Sequence, residues 1–416
     1  MSSNTTSRGP RRALVFSGGG ARGAYEAGFV RYLCDELPRR LGRPPQIDIL
    51  CGTSVGAIHA CYLAATAHQT EGRGARLVDV WTRMQLDQIL PLSARDLLAL
   101  PRRILGMRKI AEALKDGDLP DRLYGLFDTK PLEELVLGAI PWRGIRNNIR
   151  AGRLDAACVA ATQIGTGNVV VFMETRDRTI PQWTRDPTVV PRPTRLLPTH
   201  ALASAAIPLV FPAVRVASTY YADGGLRLNT PLAPALRLGA DRVLVVALRQ
   251  ETRNASEAEL TRTHGAAYGS PLFLFGKVLN ALMLDHLDTD LSRMHVVNEI
   301  LEHGETAYGA GFTDKLNQVA LRKSARPFRH IHDLVIRPTA DPGLLAGQIL
   351  SNLSDAHSRS PLIRLAARGL EDGDRSPESD LLSYLLFDSD FVAPLADLGY
   401  RDAAAREEEL VAFFTD

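Results

Sequence analysis

Three places in this chain combine residue types that could do chemistry. The first is SGGGARGAYEAG, residues 17–28, where an apolar run stops at three glycines. Gly18 to Gly23 fits G-x-G-x-x-G, the loop whose backbone N–H groups cradle a dinucleotide pyrophosphate. The same geometry could aim those N–H groups at the oxyanion of an acyl transfer. The second is GTSVG, residues 52–56, which follows the apolar run IDILC. This is G-x-S-x-G with a strand before it and a helical pattern after it, the context that gives the motif meaning. The third is STYYADGGLRLNTP, residues 218–231, in which Asp223 closes a strand-like run and Gly224 and Gly225 follow.

The second motif decides how the first is read. A nucleophile at a tight strand-to-helix turn needs a strained backbone, and Cβ atoms on its flanks would crowd it. Gly52 and Gly56 remove that crowding, and Ser54 then stands at the positive end of a helix, which favours negative charge nearby. A dinucleotide fold should instead end its second strand in an acid that bonds the ribose. Here that strand ends in Cys51-Gly52-Thr53-Ser54, and its acid, Asp48, lies at the other end. Adjacent parallel strands would put both loops at one sheet edge, so the glycine loop is expected to hold an oxyanion beside Ser54.

Ser54 needs a base, and the ten histidines offer no convincing one. His59 lies on the helix after Ser54 and reads as a hydrogen-bonded core residue, and His200 sits in an expected loop before ALASAAIP. Asp223, held directly against Ser54, could accept the proton if burial raises its pKa toward working pH. Taken alone, Asp-Gly-Gly also reads as a plain turn.

The elements that must position these residues follow an α/β rhythm. Runs at 13–17, 47–51, 153–162, 168–174, 242–248 and 332–337 read as strands, several of them apolar throughout, as parallel strands buried on both faces are. Tyr25, Phe29, Leu33, Leu37 and Leu41 recur every fourth residue and predict an amphipathic helix between the first two. VGAIHACYLAAT predicts a buried central helix, and 231–238 a short helix before the strand at 242. Three regions break the rhythm. Residues 84–127 read as an irregular helical insertion, 175–198 as a long Pro-, Thr- and Arg-rich loop, and 250–330 as a polar linker with the apolar helix PLFLFGKVLNALML, packed on the core or lying at an interface. From about 340 the chain reads as helical.

Composition narrows the class. The 416 residues, 45% hydrophobic and 23% charged, are enough for a sizeable core. A net charge of +2 gives no argument for nucleic acid. Cys34, Cys51, Cys61 and Cys158 have no C-x-x-C spacing and read as buried free thiols. The polar start MSSNTTSRGPRR has no apolar h-region, and no apolar stretch approaches the ~18 residues that span a bilayer. A cytoplasmic protein is the expectation, one that could touch the inner face of the membrane. The arginines at 101–108 (PRRILGMR) suit either anionic headgroups or a solvated face. Oligomeric state is not written in the sequence.

These motifs together resemble the patatin-like phospholipase family, in its bacterial branch. SGGGARGAYEAG looks like its glycine-rich motif, GTSVG its nucleophile elbow and DGG its aspartate motif. ASAAIPLVFP, LNTPLAPALRLGADRVLVV and LYGLFDTKPLEELV are family-like as well, so the likeness is firm over 12 to about 250 and looser over 330–400. Ser17 stands where plant relatives have Asp, and Asp-Gly-Gly replaces Asp-Gly-Ala; both are common in bacterial members. The resemblance implies a three-layer α/β/α fold with a mostly parallel central sheet, a helical insertion and a helical C-terminal region. It implies a disordered tail over 1–11, a catalytic domain over 12–338 with insertions near 84–127 and 255–325, and a C-terminal extension over 339–416.

The activity implied is that of a carboxylic ester hydrolase of phospholipase A or lysophospholipase type, acting on phospholipid or lysophospholipid. Ser54 would be the nucleophile and Asp223 the base, with an oxyanion hole from Gly18, Gly19 and Gly20. Arg22 would either orient that hole or meet a lipid phosphate. Gly23, Gly52, Gly56, Gly224 and Gly225 complete the motifs. The chemistry asks for no cofactor or metal, and the sequence offers no ligand cluster for one. An acyltransferase on the same dyad, or a regulatory protein that keeps the fold without turnover, are the alternatives.

Overall fold

The computed structural model describes residues 9–83, 120–122, 130–178, 183, 186–208, 210–250, 286–322, 327–354 and 383–415. Most of the insertion expected at 84–127, the arginines of 101–108, and PLFLFGKVLNALML fall outside these residues, as do residues 1–8 of the tail. Arg11 is already fixed, its N–H donating to Asp241 Oδ2 at 2.9 Å.

Among the described residues nine strands form one sheet. Its centre is five parallel strands in the order β3 (Ala156–Gln163), β2 (Ile49–Thr53), β1 (Arg12–Phe16), β8 (Arg242–Val246) and β9 (His332–Ile336). On the far side of β3, β4 (Val169–Thr175) runs antiparallel, and β5 (Val189–Pro193) lies parallel to β4 at the edge. The hairpin of β6 (Val214–Val216) and β7 (Thr219–Asp223) pairs with the last residues of β3.

Strand side chains alternate between two faces, and both are buried. Leu14, Phe16, Leu50, Val159 and Val246 enter one apolar cluster, while Ala13, Val15, Ile49, Cys158 and Val245 enter the other. The first face is covered by α1 (Gly23–Arg31), α3 (Val55–Ala65), α4 (Arg73–Thr82) and the C-terminal helices α12 (Ser389–Ala405) and α13 (Glu407–Thr415). The second is covered by α8 (Leu232–Arg237) and the start of α9 (Leu287–Tyr308). Burial on both faces explains why the strands read as continuous apolar runs. The layers are helix, sheet, helix.

The first helix departs from regularity. A strict four-residue repeat drifts about 40° per step on an α-helix. Here a π turn, Tyr32–Glu36, joins α1 to α2 (Leu37–Leu41), and its wider spacing returns Leu37 to the buried side.

Two sequence expectations need correction. The stretch 175–198 is not all loop, because β5 forms within it. Its Pro191 and Pro193 suggested irregular chain, yet they suit an edge strand. Thr188 O and Thr194 N bond to β4, so the intervening odd-numbered residues turn their N–H side outward, where proline loses nothing. His200 lies not in a loop but in the first turn of α7 (Pro198–Ser204), which Pro198 starts. Its Nδ1 accepts the Leu197 N–H at 2.9 Å. The remaining described helices are α5 (Lys130–Ala139), α6 (Arg143–Arg150), α10 (Phe312–Arg322) and α11 (Pro342–Ser354).

Candidate active site

Strand ends build the site. β2 stops at Thr53, opposite Ala160 of β3, and the chain turns away at Ser54 into α3. β7 comes in from the opposite direction along the same edge of β3 and stops at Asp223, opposite Ala161. The two strands therefore meet end to end. Ser54 Oγ donates to Asp223 Oδ2 at 2.6 Å, and both residues are buried.

Ser54 holds φ +54° and ψ −127°, a region that side chains other than glycine rarely adopt. Its surroundings fix that conformation. The Ser54 N–H donates to Ser204 Oγ at 2.8 Å, and Ser204 Oγ donates to Ala160 O at 2.5 Å. A Cβ on Gly52 would lie 2.1 Å from the Gly56 carbonyl, and one on Gly56 2.6 Å from that of Ser17. The motif glycines are thus needed for backbone passage at the turn.

Asp223 is locked as firmly. Its Oδ1 accepts the Gly225 N–H at 2.7 Å, its N–H donates to Ala206 O, and its carbonyl accepts Thr162 Oγ1–H at 2.9 Å. Gly224 passes so close to β3 that a Cβ would lie 2.3 Å from Ala160 O. Burial pushes the Asp223 carboxyl from its ordinary 3.8 up to about 7, against the opposing pull of the Ser54 and Gly225 hydrogen bonds.

The glycine loop abuts Ser54, since a Cβ on Gly18 would sit 3.1 Å from Ser54 Cβ. The structure corrects one expectation here. The Gly18 N–H does not face the site but donates to Asn229 O at 3.0 Å, while Asn229 Nδ2 donates to Gly18 O at 3.2 Å. Among the described residues the Gly19 and Gly20 N–H groups have no partner. Arg22 does not reach toward a headgroup either. It is buried, and its Nε donates to Ser383 Oγ at 2.7 Å.

This arrangement lies within a match to the family model described as Patatin-like phospholipase, over residues 14–236. The chain belongs to the patatin-like phospholipase family. That is a family of lipid acyl hydrolases. Solved structures similar to it include VipD from Legionella pneumophila, 12% identical, with a TM-score of 0.32 over 94% of this chain and 67% of that one. No curated protein sequence matches the chain.

In this patatin-like protein a cavity lined almost wholly by apolar side chains opens against Ser54. Gly20, Ile58, Trp81, Ile140, Phe211 and Phe387 are among its walls. His59 is not beside Asp223 but holds one wall. It is fully buried, its Nε2 accepts Trp81 Nε1–H at 2.8 Å and its Nδ1 donates to Glu26 Oε2 at 2.7 Å. Burial pushes the imidazole down to about 3, so it stays neutral. Asn229, Ser204 and Phe387 had no assigned role in the sequence. The first two sit in family-like stretches (RLNTP and ASAAIP), which is the signal that could have marked them. Phe387 had none.

Cys34, Cys51, Cys61 and Cys158 are free and buried. Among the described residues no group of three or more His, Cys, Asp or Glu could hold a metal ion, and no helix is long and apolar enough to cross a membrane.

Proposed function

We propose that this patatin-like protein is a serine lipid acyl hydrolase of phospholipase A or lysophospholipase type, with Ser54 as nucleophile and Asp223 as base. The observation that carries the reading is the 2.6 Å hydrogen bond from Ser54 Oγ, on the wall of an apolar cavity, to the carboxylate of Asp223 buried behind it. The cavity suits an acyl chain and would place its ester carbonyl at Ser54.

In the first step Oγ attacks the carbonyl carbon and its proton passes to Asp223 Oδ2. The carbonyl oxygen becomes an oxyanion facing the Gly19 and Gly20 N–H groups, at the N-terminal end of α3. The intermediate collapses, the C–O bond to the alcohol breaks, and Asp223 returns the proton to the leaving oxygen. Water then attacks the acyl-enzyme with Asp223 again taking the proton, which releases the fatty acid and restores Ser54. Burial of Asp223 favours this cycle, because a base near pKa 7 can both take and give a proton at neutral pH.

The test is labelling by a short fluorophosphonate probe, together with fatty acid release from a panel of phospholipids and lysophospholipids. Wild type is expected to label and release, and Ser54→Ala to do neither. Labelling without release, accompanied by transfer to added glycerol, would make the protein an acyltransferase. A wild type that takes no label would favour a regulatory protein.

A further inference from the structure

The described segment 383–387, far from the motifs in sequence, lies against the glycine loop. Arg22, the residue after the third glycine's neighbour, is 4% exposed and gives its Nε–H to Ser383 Oγ at 2.7 Å. Its guanidinium carbon sits 4.1 Å over the Tyr384 ring, and Nη1 donates to Tyr384 Oη at 3.4 Å. Gly20 has φ +55°, and a Cβ there would lie 2.2 Å from the Tyr384 carbonyl oxygen. The two backbones are in direct contact at the loop's tightest point.

The segment is itself anchored at its far end. Phe387 stacks on Trp81 with ring centroids 6.1 Å apart and lines the same apolar cavity as Ser54 and Gly20. Beyond it, α12 crosses α1 with the backbones touching. A Cβ on Gly28 would lie 1.7 Å from Ala396 O, and one on Gly399 2.0 Å from Tyr25 O. A close crossing of this kind holds position well, because neither helix can slide without a clash.

The glycine loop is therefore held from two sides. Asn229 fixes Gly18 through both its backbone and its side chain. Between Gly19 and Gly23 the loop's own support is one short turn, in which the Arg22 N–H donates to Gly19 O at 3.1 Å and the Gly23 N–H to Gly20 O, and neither bond holds the Gly19 or Gly20 N–H. Free N–H groups aimed at a developing charge are useful only where their direction is fixed beforehand.

We propose that Ser383 and Tyr384 are positioning residues for the oxyanion loop, acting through Arg22 and Gly20, so that segment 383–387 is part of the active site. The inference rests on the Ser54–Asp223 reading. It assigns no contact with substrate to Ser383 or Tyr384. Their effect is on the aim of the Gly19 and Gly20 N–H groups, and a displacement near 1 Å at a reacting centre costs up to about a hundredfold in rate.

The experiment compares full-length wild type with Ser383→Ala, Ser383→Thr, Tyr384→Leu and Ser54→Ala. It reads the rate of labelling by a short fluorophosphonate, kcat and KM on a short-chain ester, and the thermal midpoint. Ser383→Ala and Tyr384→Leu are expected to label about tenfold to a hundredfold more slowly, with kcat falling in step and KM within about twofold. Ser383→Thr keeps the hydroxyl and should restore the rate. If Ser383→Ala does not fold, Tyr384→Leu carries the test, since that ring is partly exposed. Labelling of both variants at the wild-type rate would overturn the inference and leave the Ser54 reading intact. Faster labelling would also overturn it, and would make the segment an inhibitory cover. A wild type that takes no label overturns the Ser54 reading and the inference with it.

Discussion

Thr53 and Asp223 occupy consecutive places along one edge of β3, opposite Ala160 and Ala161, although they end strands that run in opposite directions. One strand's turn and the other's last residue must then face each other, and this puts Ser54 Oγ 2.6 Å from Asp223 Oδ2. The pairing is built into the sheet and does not depend on flexible side chains. Four expectations follow from that geometry and its surroundings.

As the proposed base, Asp223 would have to be ionised to accept the Ser54 proton, and burial has pushed its pKa up to about 7. Ester hydrolysis should therefore rise with pH, with kcat/KM near half its plateau at pH 7 and about a tenth of it at pH 6. A pH–rate profile on a soluble ester checks this. A limb near pH 4 would mean that a less perturbed carboxylate, or none, is the base.

The same shift bears on stability. Between about pH 4 and pH 7 the folded protein keeps a proton at Asp223 that the unfolded chain releases, so stability at this site falls as pH rises. Asp223→Asn removes the cost of burying a charge, and its amide can still donate to Ser54 Oγ while its oxygen accepts the Gly225 N–H. The variant should be inactive yet more stable at pH 8, by on the order of a few kcal/mol, with a smaller gain at pH 5. Urea unfolding at the two pH values gives the answer. An equal change at both would separate the effect from ionisation.

His59 is expected to matter for packing and not for proton transfer. In His59→Leu the buried Trp81 N–H and Glu26 Oε2 lose their partner, at about 1–3 kcal/mol for a stranded group. The thermal midpoint should drop, while the pH–rate limb near 7 stays where it is. Disappearance of that limb would bring histidine back as the base.

Ile58 lies one turn along α3 from Ser54 and lines the apolar cavity. Ile58→Phe fills part of that space, so hydrolysis of long-chain esters should fall several-fold more than that of short-chain esters. Comparing acyl esters of increasing length measures it. An equal effect at all lengths would place the acyl chain elsewhere.

The motifs that matter were legible as letters because each is a local steric requirement. Gly52 is needed because the backbone touches itself at the turn, while Gly56 lets the new helix pass close to the end of β1, where a Cβ would lie 2.6 Å from Ser17 O. The parallel sheet was legible too, since burial on both faces removes polar residues from whole strands. The edge strand β5 was hidden by Pro191 and Pro193, whose tolerance depends on which side of the strand faces solvent.

The sequence by itself determined the strand–turn–helix at Ser54, the glycine loop and the aspartate turn, because residue types at a few neighbouring positions mark where the backbone turns or passes close to another segment. Tertiary structure alone decided which N–H groups remain unpartnered, because Asn229 takes that of Gly18 across a long separation in the chain. It also placed Asp223 in a pocket dry enough to raise its pKa, and laid Ser383 and Tyr384 on the loop through Arg22. Hydrogen-bond direction and burial depend on what packs from outside a segment, and no local spacing encodes them.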